Sequence, residues 1–182
     1  MGNKKRLVSL YAIVLILLTS SCNHNSDQSK MSEQEIKERM TNVNRIIVKD
    51  ESTDIDEFIA RHQWKIQSTG TGLRIEVYEK GNGRQPALKD TVSIAYKVYL
   101  LDGTLCYSTD EMHPVKFILG TGQQTSGLEE GLQLMREGAK ARMVVPAHLA
   151  YGMTGDENKI PAGSALYYDV TLVKSGSSKY QN

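Results

Sequence analysis

Few side chains in this sequence could make or break a covalent bond. His24, His62, His113 and His148 are scattered, and Cys22 and Cys106 match no zinc spacing and are too few for a disulfide framework. No Gly-x-Ser-x-Gly elbow, His-Glu-x-x-His pair, phosphate loop or dinucleotide fingerprint occurs; Gly120-Thr121-Gly122 with Gly127 does not form one. His148, close after Pro146, reads as a surface or satisfied residue rather than a base. Glu129 and Glu130 fall in the first turn of a short helix, where the helix dipole favours carboxylates without any catalytic role. What remains is an unusual aromatic and apolar content within loops: Leu149-Ala150-Tyr151-Gly152, Ile160-Pro161 and Tyr167-Tyr168. For the apolar members, ordinary core packing is the alternative to a functional role. Tyr151, between Ala150 and Gly152, suits a ring placed at a cavity edge.

The elements that would position these residues begin after a leader. The chain has 182 residues, 24% charged and 40% hydrophobic, with net charge +1, which leaves room for one domain and an extension. Without an excess or cluster of Lys and Arg, no nucleic-acid partner is indicated. Lys4, Lys5 and Arg6 precede the apolar run Leu7 to Leu18, too short to span a ~30 Å hydrocarbon core but suited to a secretory signal over residues 1–21. Thr19-Ser20-Ser21-Cys22 resembles a lipobox, although Leu18 lies one position further out than usual. A lipidated Cys22 would anchor the chain to a membrane of the cell envelope, facing the periplasm. Removing the leader takes three of the 22 basic residues and none of the 21 acidic ones, leaving a net charge of −2. It also leaves Cys106 as an unpaired thiol, expected to be buried.

Residues 22–31 are a polar tether. Over 32–66 a helical extension is expected: Ser32 and Glu35 match a capping box, Ile36, Met40, Val43 and Ile47 form one stripe, and Thr53-Asp54-Ile55-Asp56-Glu57 marks a second start leading to Phe58, Ile59 and Trp64. This predicts two helices within 32–64, packing on the following domain or mediating self-association. From 71 to 175 the period changes to strands: Leu73, Ile75 and Val77; Val92 to Leu100, ending at the hairpin signal Asp102-Gly103; Val115 to Leu119; Ala139 to Val145; Ala165 to Val173. Ser126 and Glu129 suggest a capping box for a helix of about ten residues carrying Leu128, Leu132 and Met135, with Gly138 beyond its end. Five to six antiparallel strands with one short helix make an α+β fold. Residues 176–182 are a polar tail.

Taken in order, Asp90-Thr91-Val92 with Tyr96, Asp102-Gly103, Lys116 to Gly120, Gly127-Leu128-Glu129-Glu130-Gly131 with Met135, Gly138, Val145-Pro146, Ala150-Tyr151-Gly152, Ile160-Pro161 and Leu166 to Val170 resemble the FKBP-type peptidyl-prolyl isomerases over about residues 72 to 174. The resemblance implies a twisted sheet wrapped around the short helix, with a hydrophobic pocket between them. It also implies rotation about the bond preceding proline in polypeptide clients, which needs no acid, base, metal or cofactor. Carried over by position, Tyr96, Val115, Leu128, Tyr151, Ile160 and Tyr168 would wall the pocket, with Leu128 at the floor where many relatives have tryptophan. The Tyr151 hydroxyl and the Thr125 backbone N–H would bind substrate carbonyls, and Gln124 would line the rim.

Departures accompany the matches. Cys106-Tyr107 stands where the family commonly has Phe-Asp, removing a carboxylate and shrinking an aromatic wall; Val115 replaces a frequent phenylalanine, and Gln124-Thr125 a Val-Ile pair. A wider, wetter pocket and weaker catalysis are expected. The tyrosine at 107, the lipidated start and the preceding helices resemble the gliding-motility-associated FKBP-type lipoproteins. Two other functions fit the residues: a non-catalytic module holding proline segments within an envelope machine, or a scaffold for functional N-terminal helices.

Overall fold

A computed structural model describes residues 32–177. Cys22, with the expected leader and tether, and the tail beyond Ser177 lie outside the described residues. Helix α1 (Glu33–His62) is a single helix of 30 residues rather than the two expected. Its start is the capping box: the Glu35 N–H donates to Ser32 Oγ at 3.2 Å and the Ser32 N–H to Glu35 Oε2 at 3.0 Å. The expected second start does not interrupt the helix, and side chains around it reach across the molecule. Glu51 accepts the Ala147 N–H at 2.6 Å, and Arg74 reaches Ser52 at 3.0 Å and Asp56 at 3.2 Å. With neither Pro nor Gly between 50 and 57, nothing local forces a break. The helix ends where Gln63 turns to φ 56°. Among the described residues, no helix is long and apolar enough to cross a membrane.

Seven antiparallel strands form one sheet: β1 (Gln67–Ser68), β2 (Arg74–Glu79), β3 (Asp90–Leu100), β4 (Leu105–Ser108), β5 (Val115–Ile118), β6 (Lys140–Val145) and β7 (Leu166–Ser177). Their spatial order is β1-β2-β6-β7-β3-β4, with β5 also paired to β3. The seventh strand is the two-residue β1, too short to leave a period in the sequence. Long strands β3 and β7 pair from Asp90↔Ser177 to Leu100↔Leu166, with a bulge between Ser93 and Ile94 that bends the sheet.

Alternation assigns the two faces. Val92, Ile94 and Val98 of β3, Ala141, Met143 and Val145 of β6, and Leu166, Tyr168, Val170 and Leu172 of β7 are buried in one core. Helix α2 (Ser126–Gln133) adds Leu128 and Leu132, both fully buried. It can approach β6 because Gly127 and Gly131 lack side chains: a Cβ on Gly131 would strike the Met143 sulfur, and one on Gly127 the Val145 side chain. On the other face, Ile55 and Phe58 of α1 pack with Val144 and Ala165, flanked by Trp64 and Tyr167. Arg142 lies between the rings of Trp64 and Tyr78, 5.1 and 4.5 Å from their centroids, and pairs with Glu76 at 3.3 Å. Ile36, Met40 and Val43 remain exposed.

Candidate functional site

Strand β3 contributes Tyr96, whose ring centroid lies 6.2 Å from that of Tyr168 on β7. The segment before α2 contributes Gln124 and Thr125. It is held by Glu129, a buried carboxylate in the first helical turn, which accepts the N–H of Gly120 at 2.8 Å and of Gln124 at 3.2 Å. Glu129 therefore does not close a capping box with Ser126. Thr125 is the N-cap, its side chain makes no cap bond, and Ser126 Oγ donates instead to the Leu149 carbonyl at 3.2 Å. The N–H groups of Gly120 and Gln124, rather than that of the helix start, are the partners of this carboxylate.

Tyr151 follows a 3-10 turn, Ala147–Leu149, whose first N–H is the one taken by Glu51. The Gly152 N–H returns to the Ala147 carbonyl at 2.8 Å, and Gly152 adopts φ 61°, turning the chain sharply after the tyrosine. Opposite it, the Tyr107 hydroxyl on β4 donates to Asp156, and the Asn158 amide donates to the same hydroxyl at 3.1 Å. Asp156 also accepts the N–H of Ile160 at 2.7 Å and of Asn158 at 3.0 Å. Lys159 donates to the Cys106 carbonyl at 3.0 Å and lies over the Tyr107 ring. A carboxylate thus reaches this wall from another segment, although none stands at position 107.

These segments enclose a cavity of about 480 Å³ lined by Tyr96, Tyr107, Gly122, Gln123, Gln124, Thr125, Ala150, Tyr151 and Asp156. Of the residues singled out in the sequence, Tyr96, Tyr107, Gln124, Thr125 and Tyr151 line it together. Leu128, Ile160, Tyr168 and Cys106 are buried in the adjoining core, and Val115 packs partly buried against that core. Asp156, Gly122 and Gln123 were missed; the clue for Asp156 was a turn-type Gly-Asp-x-Asn run whose carboxylate could serve its own backbone. A second cavity of about 470 Å³, lined by Asp50, Glu51, Asp54, Asp102 and the Leu100-Leu101 and Gly163–Ala165 segments, lacks such a convergence of uncommitted hydroxyls.

The chemistry on offer is hydrogen-bond donation in a cavity of mixed polar and aromatic lining beside the apolar core. Among the described residues, neither the Tyr96 nor the Tyr151 hydroxyl has a hydrogen-bond partner, nor has the Thr125 Oγ1, which is buried. Burial pushes the Tyr96, Tyr151 and Tyr168 hydroxyls above the usual phenol range, so all three stay protonated at neutral pH. Burial likewise raises the Cys106 thiol, free and only 2% exposed, which leaves it neutral rather than nucleophilic.

A family model described as FKBP-type peptidyl-prolyl cis-trans isomerase matches residues 82–173, which include every one of these cavity residues. The chain belongs to this family. As an FKBP-type chain it is 37% identical over 121 residues to the FKBP-type peptidyl-prolyl cis-trans isomerase FkpA of Aeromonas hydrophila, covering 65% of this chain and 44% of that one. It is 38% identical over 104 residues to FK506-binding protein 1A of Neurospora crassa, covering 56% and 87%. The crystal structure of FkpA from Escherichia coli superposes with a TM-score of 0.62 at 28% identity, covering 96% of this chain and 83% of that one. This FKBP-type chain spans between 41% and 59% of the length of the curated FkpA proteins it matches.

Proposed function

We propose that the protein accelerates cis/trans rotation of peptide bonds preceding proline in exported polypeptides, working from a lipid tether at Cys22 on the periplasmic side of a membrane. The observation that carries this reading is the cavity itself: the Tyr151 hydroxyl and the Thr125 backbone N–H, both without partners among the described residues, converge beside the apolar core that contains Leu128 and Ile160. No bond is made or broken in such a rotation, so the absence of an acid–base pair in the sequence is expected.

The barrier is ~18–20 kcal/mol because the planar amide has partial C–N double-bond character. Twisting destroys conjugation and reduces charge separation, so the twisted amide loses less than the planar one on leaving water for an apolar pocket. Tyr151 and the Thr125 N–H would fix the flanking carbonyls while Tyr96, Val115, Leu128, Ile160 and Tyr168 surround the ring. A tenfold gain requires only about 1.4 kcal/mol, within reach of shape and one or two aimed hydrogen bonds. Gln124, Tyr107 and Cys106 would shape the rim and wall.

Protease-coupled isomerisation or NMR exchange on X-Pro peptides tests this activity; no acceleration for any peptide leaves the non-catalytic proline-binding module. The tyrosine at 107 together with a lipidated start supports placing the protein beside the gliding-motility-associated FKBP-type lipoproteins. Exposure of Ile36, Met40 and Val43, at 42, 64 and 52%, supports self-association through residues 32–64. Light scattering of the full chain against Met40→Asp decides that point: a smaller mass for the variant supports it, and monomers in both cases remove it.

A further inference from the structure

The residues on either side of Tyr151, Ala150 and Gly152, donate their N–H groups to one acceptor, the Ala147 carbonyl, at 3.0 and 2.8 Å. Ala147 is therefore the hub from which the tyrosine is set. Its own N–H leaves the turn and meets Glu51 Oε1 on α1 at 2.6 Å, while the other end of the same peptide, the Pro146 carbonyl, accepts the Leu149 N–H at 2.9 Å. The plane of the Pro146–Ala147 peptide is thus held at both ends. A carboxylate acceptor makes such a bond roughly twice as strong as a neutral one, and Ala147 is buried, so solvent has little access to compete. Two further contacts hold the rest of the turn: Ser126 Oγ donates to the Leu149 carbonyl at 3.2 Å, and His148 Nε2 lies 3.0 Å from the Thr71 carbonyl. Neither reaches Ala147. Glu51 itself lies outside residues 82–173, the stretch that matches the family model, and it does not line the cavity.

We propose that Glu51 is a positioning residue for the isomerase reaction: it holds the Pro146–Ala147 peptide and, through the Ala147 carbonyl, fixes the backbone on both sides of Tyr151 and so aims the Tyr151 hydroxyl. The inference rests on the isomerase reading and deepens it. A hydroxyl that bonds a carbonyl better in the twisted amide than in the planar one must be placed to within about 0.5 Å, and a displacement of about 1 Å can cost about a hundredfold in rate. Without its carboxylate acceptor the peptide plane is free to turn toward another, and the two bonds that bracket Tyr151 turn with it. The ring stays in the cavity wall, and what is lost is the direction of its hydroxyl. Glu51 touches no substrate. The helix that precedes the matched domain thereby contributes to the chemistry from outside the cavity.

The test is a double-mutant cycle on the full chain, with kcat/KM for an X-Pro peptide measured where circular dichroism shows each variant folded. Glu51→Ala is expected to lower kcat/KM about three- to tenfold, mostly through kcat, and Glu51→Gln, which keeps a carbonyl acceptor at the same reach, to return it to within about twofold of native. In the Tyr151→Phe protein, which has no hydroxyl to aim, Glu51→Ala is expected to change kcat/KM by less than about 1.5-fold. A role confined to stability would lower the rate by the same factor in both backgrounds. That outcome, a native rate in Glu51→Ala, or no recovery in Glu51→Gln overturns the proposal. Should Glu51→Ala not fold, Glu51→Asp, one methylene shorter, takes its place in the cycle. A second readout needs no turnover: with 13C-labelled tyrosine, the Tyr151 ring signal, assigned by its loss in Tyr151→Phe, is expected to move in Glu51→Ala and return in Glu51→Gln. If no peptide is turned over, the isomerase reading fails by itself, and the tyrosine signal alone then decides whether Glu51 positions Tyr151; an unmoved signal overturns that claim too.

Discussion

Tyr151→Phe removes one hydroxyl from the cavity and leaves the ring in place. If that hydroxyl holds a carbonyl more tightly as the amide twists, kcat/KM falls about tenfold, or about 1.4 kcal/mol, mostly through kcat. A loss confined to KM would mean that the hydroxyl only binds. Tyr107 and Asp156 make a different residue-scale prediction. Burial pushes the Asp156 carboxyl up, but the Tyr107 hydroxyl and the N–H groups of Ile160, Asn158 and Lys159 together hold it below the ordinary carboxylate value. A carboxyl with a lowered folded pKa contributes stability that is present above its unfolded pKa and lost as pH falls through its folded one. Tyr107→Phe removes one of those donors. The difference in urea midpoint between native and Tyr107→Phe proteins should therefore be largest at neutral pH and shrink below the ordinary carboxylate range; a difference constant from pH 7 to pH 3 contradicts this. Tyr151 was legible because a tyrosine between Ala150 and Gly152 in a loop is unusual, whereas Tyr96, Tyr107 and Tyr168 lie on strands and were reached only through the family resemblance. Asp156 was not, since its partner Tyr107 lies 49 residues away and nothing local in the sequence joins them.

Helix α1 and the 3-10 turn before Tyr151 are coupled through one side chain. Glu51→Ala leaves the Ala147 N–H, on a residue only 7% exposed, without its 2.6 Å acceptor. The expected cost is about 1–3 kcal/mol in chemical denaturation, larger than for an exposed acidic residue on the same helix such as Glu57. Equal costs for the two would mean that water replaces the glutamate freely. Gly131→Ala tests the approach of α2 to β6: the added methyl meets Met143, and overpacking of this kind costs about 1–3 kcal/mol. Strands β3, β6 and β7 were readable from alternation because each has one face in the core and one outside it. The single α1 was not, because Thr53 and Asp54 carry N-cap chemistry although the helix runs through them, and the neighbouring Glu51, Ser52 and Asp56 are held by Ala147 and Arg74, which are remote in sequence. Glu129 misled for the same reason: its spacing from Ser126 fits a capping box, while its partners are Gly120 and Gln124.

For the whole molecule, the composition first suggested a near-neutral chain without reactive groups. Cleavage of residues 1–21 as a leader would make it mildly acidic, and the scarcity of reactive groups fits a reaction governed by shape, desolvation and donated hydrogen bonds. The tether is a separate matter: labelling with radioactive palmitate should disappear in Cys22→Ala, and persistence of the label removes the lipoprotein reading. The claim on which the rest depends is that this FKBP-type cavity turns over prolyl bonds. Its most direct test is NMR exchange between cis and trans forms of a panel of X-Pro peptides with the full chain present. Exchange faster than the uncatalysed ~10–100 s timescale, and slowed by Tyr151→Phe, is the predicted result. Exchange at the uncatalysed rate for every peptide would contradict the account and leave a module that holds proline segments without turning them.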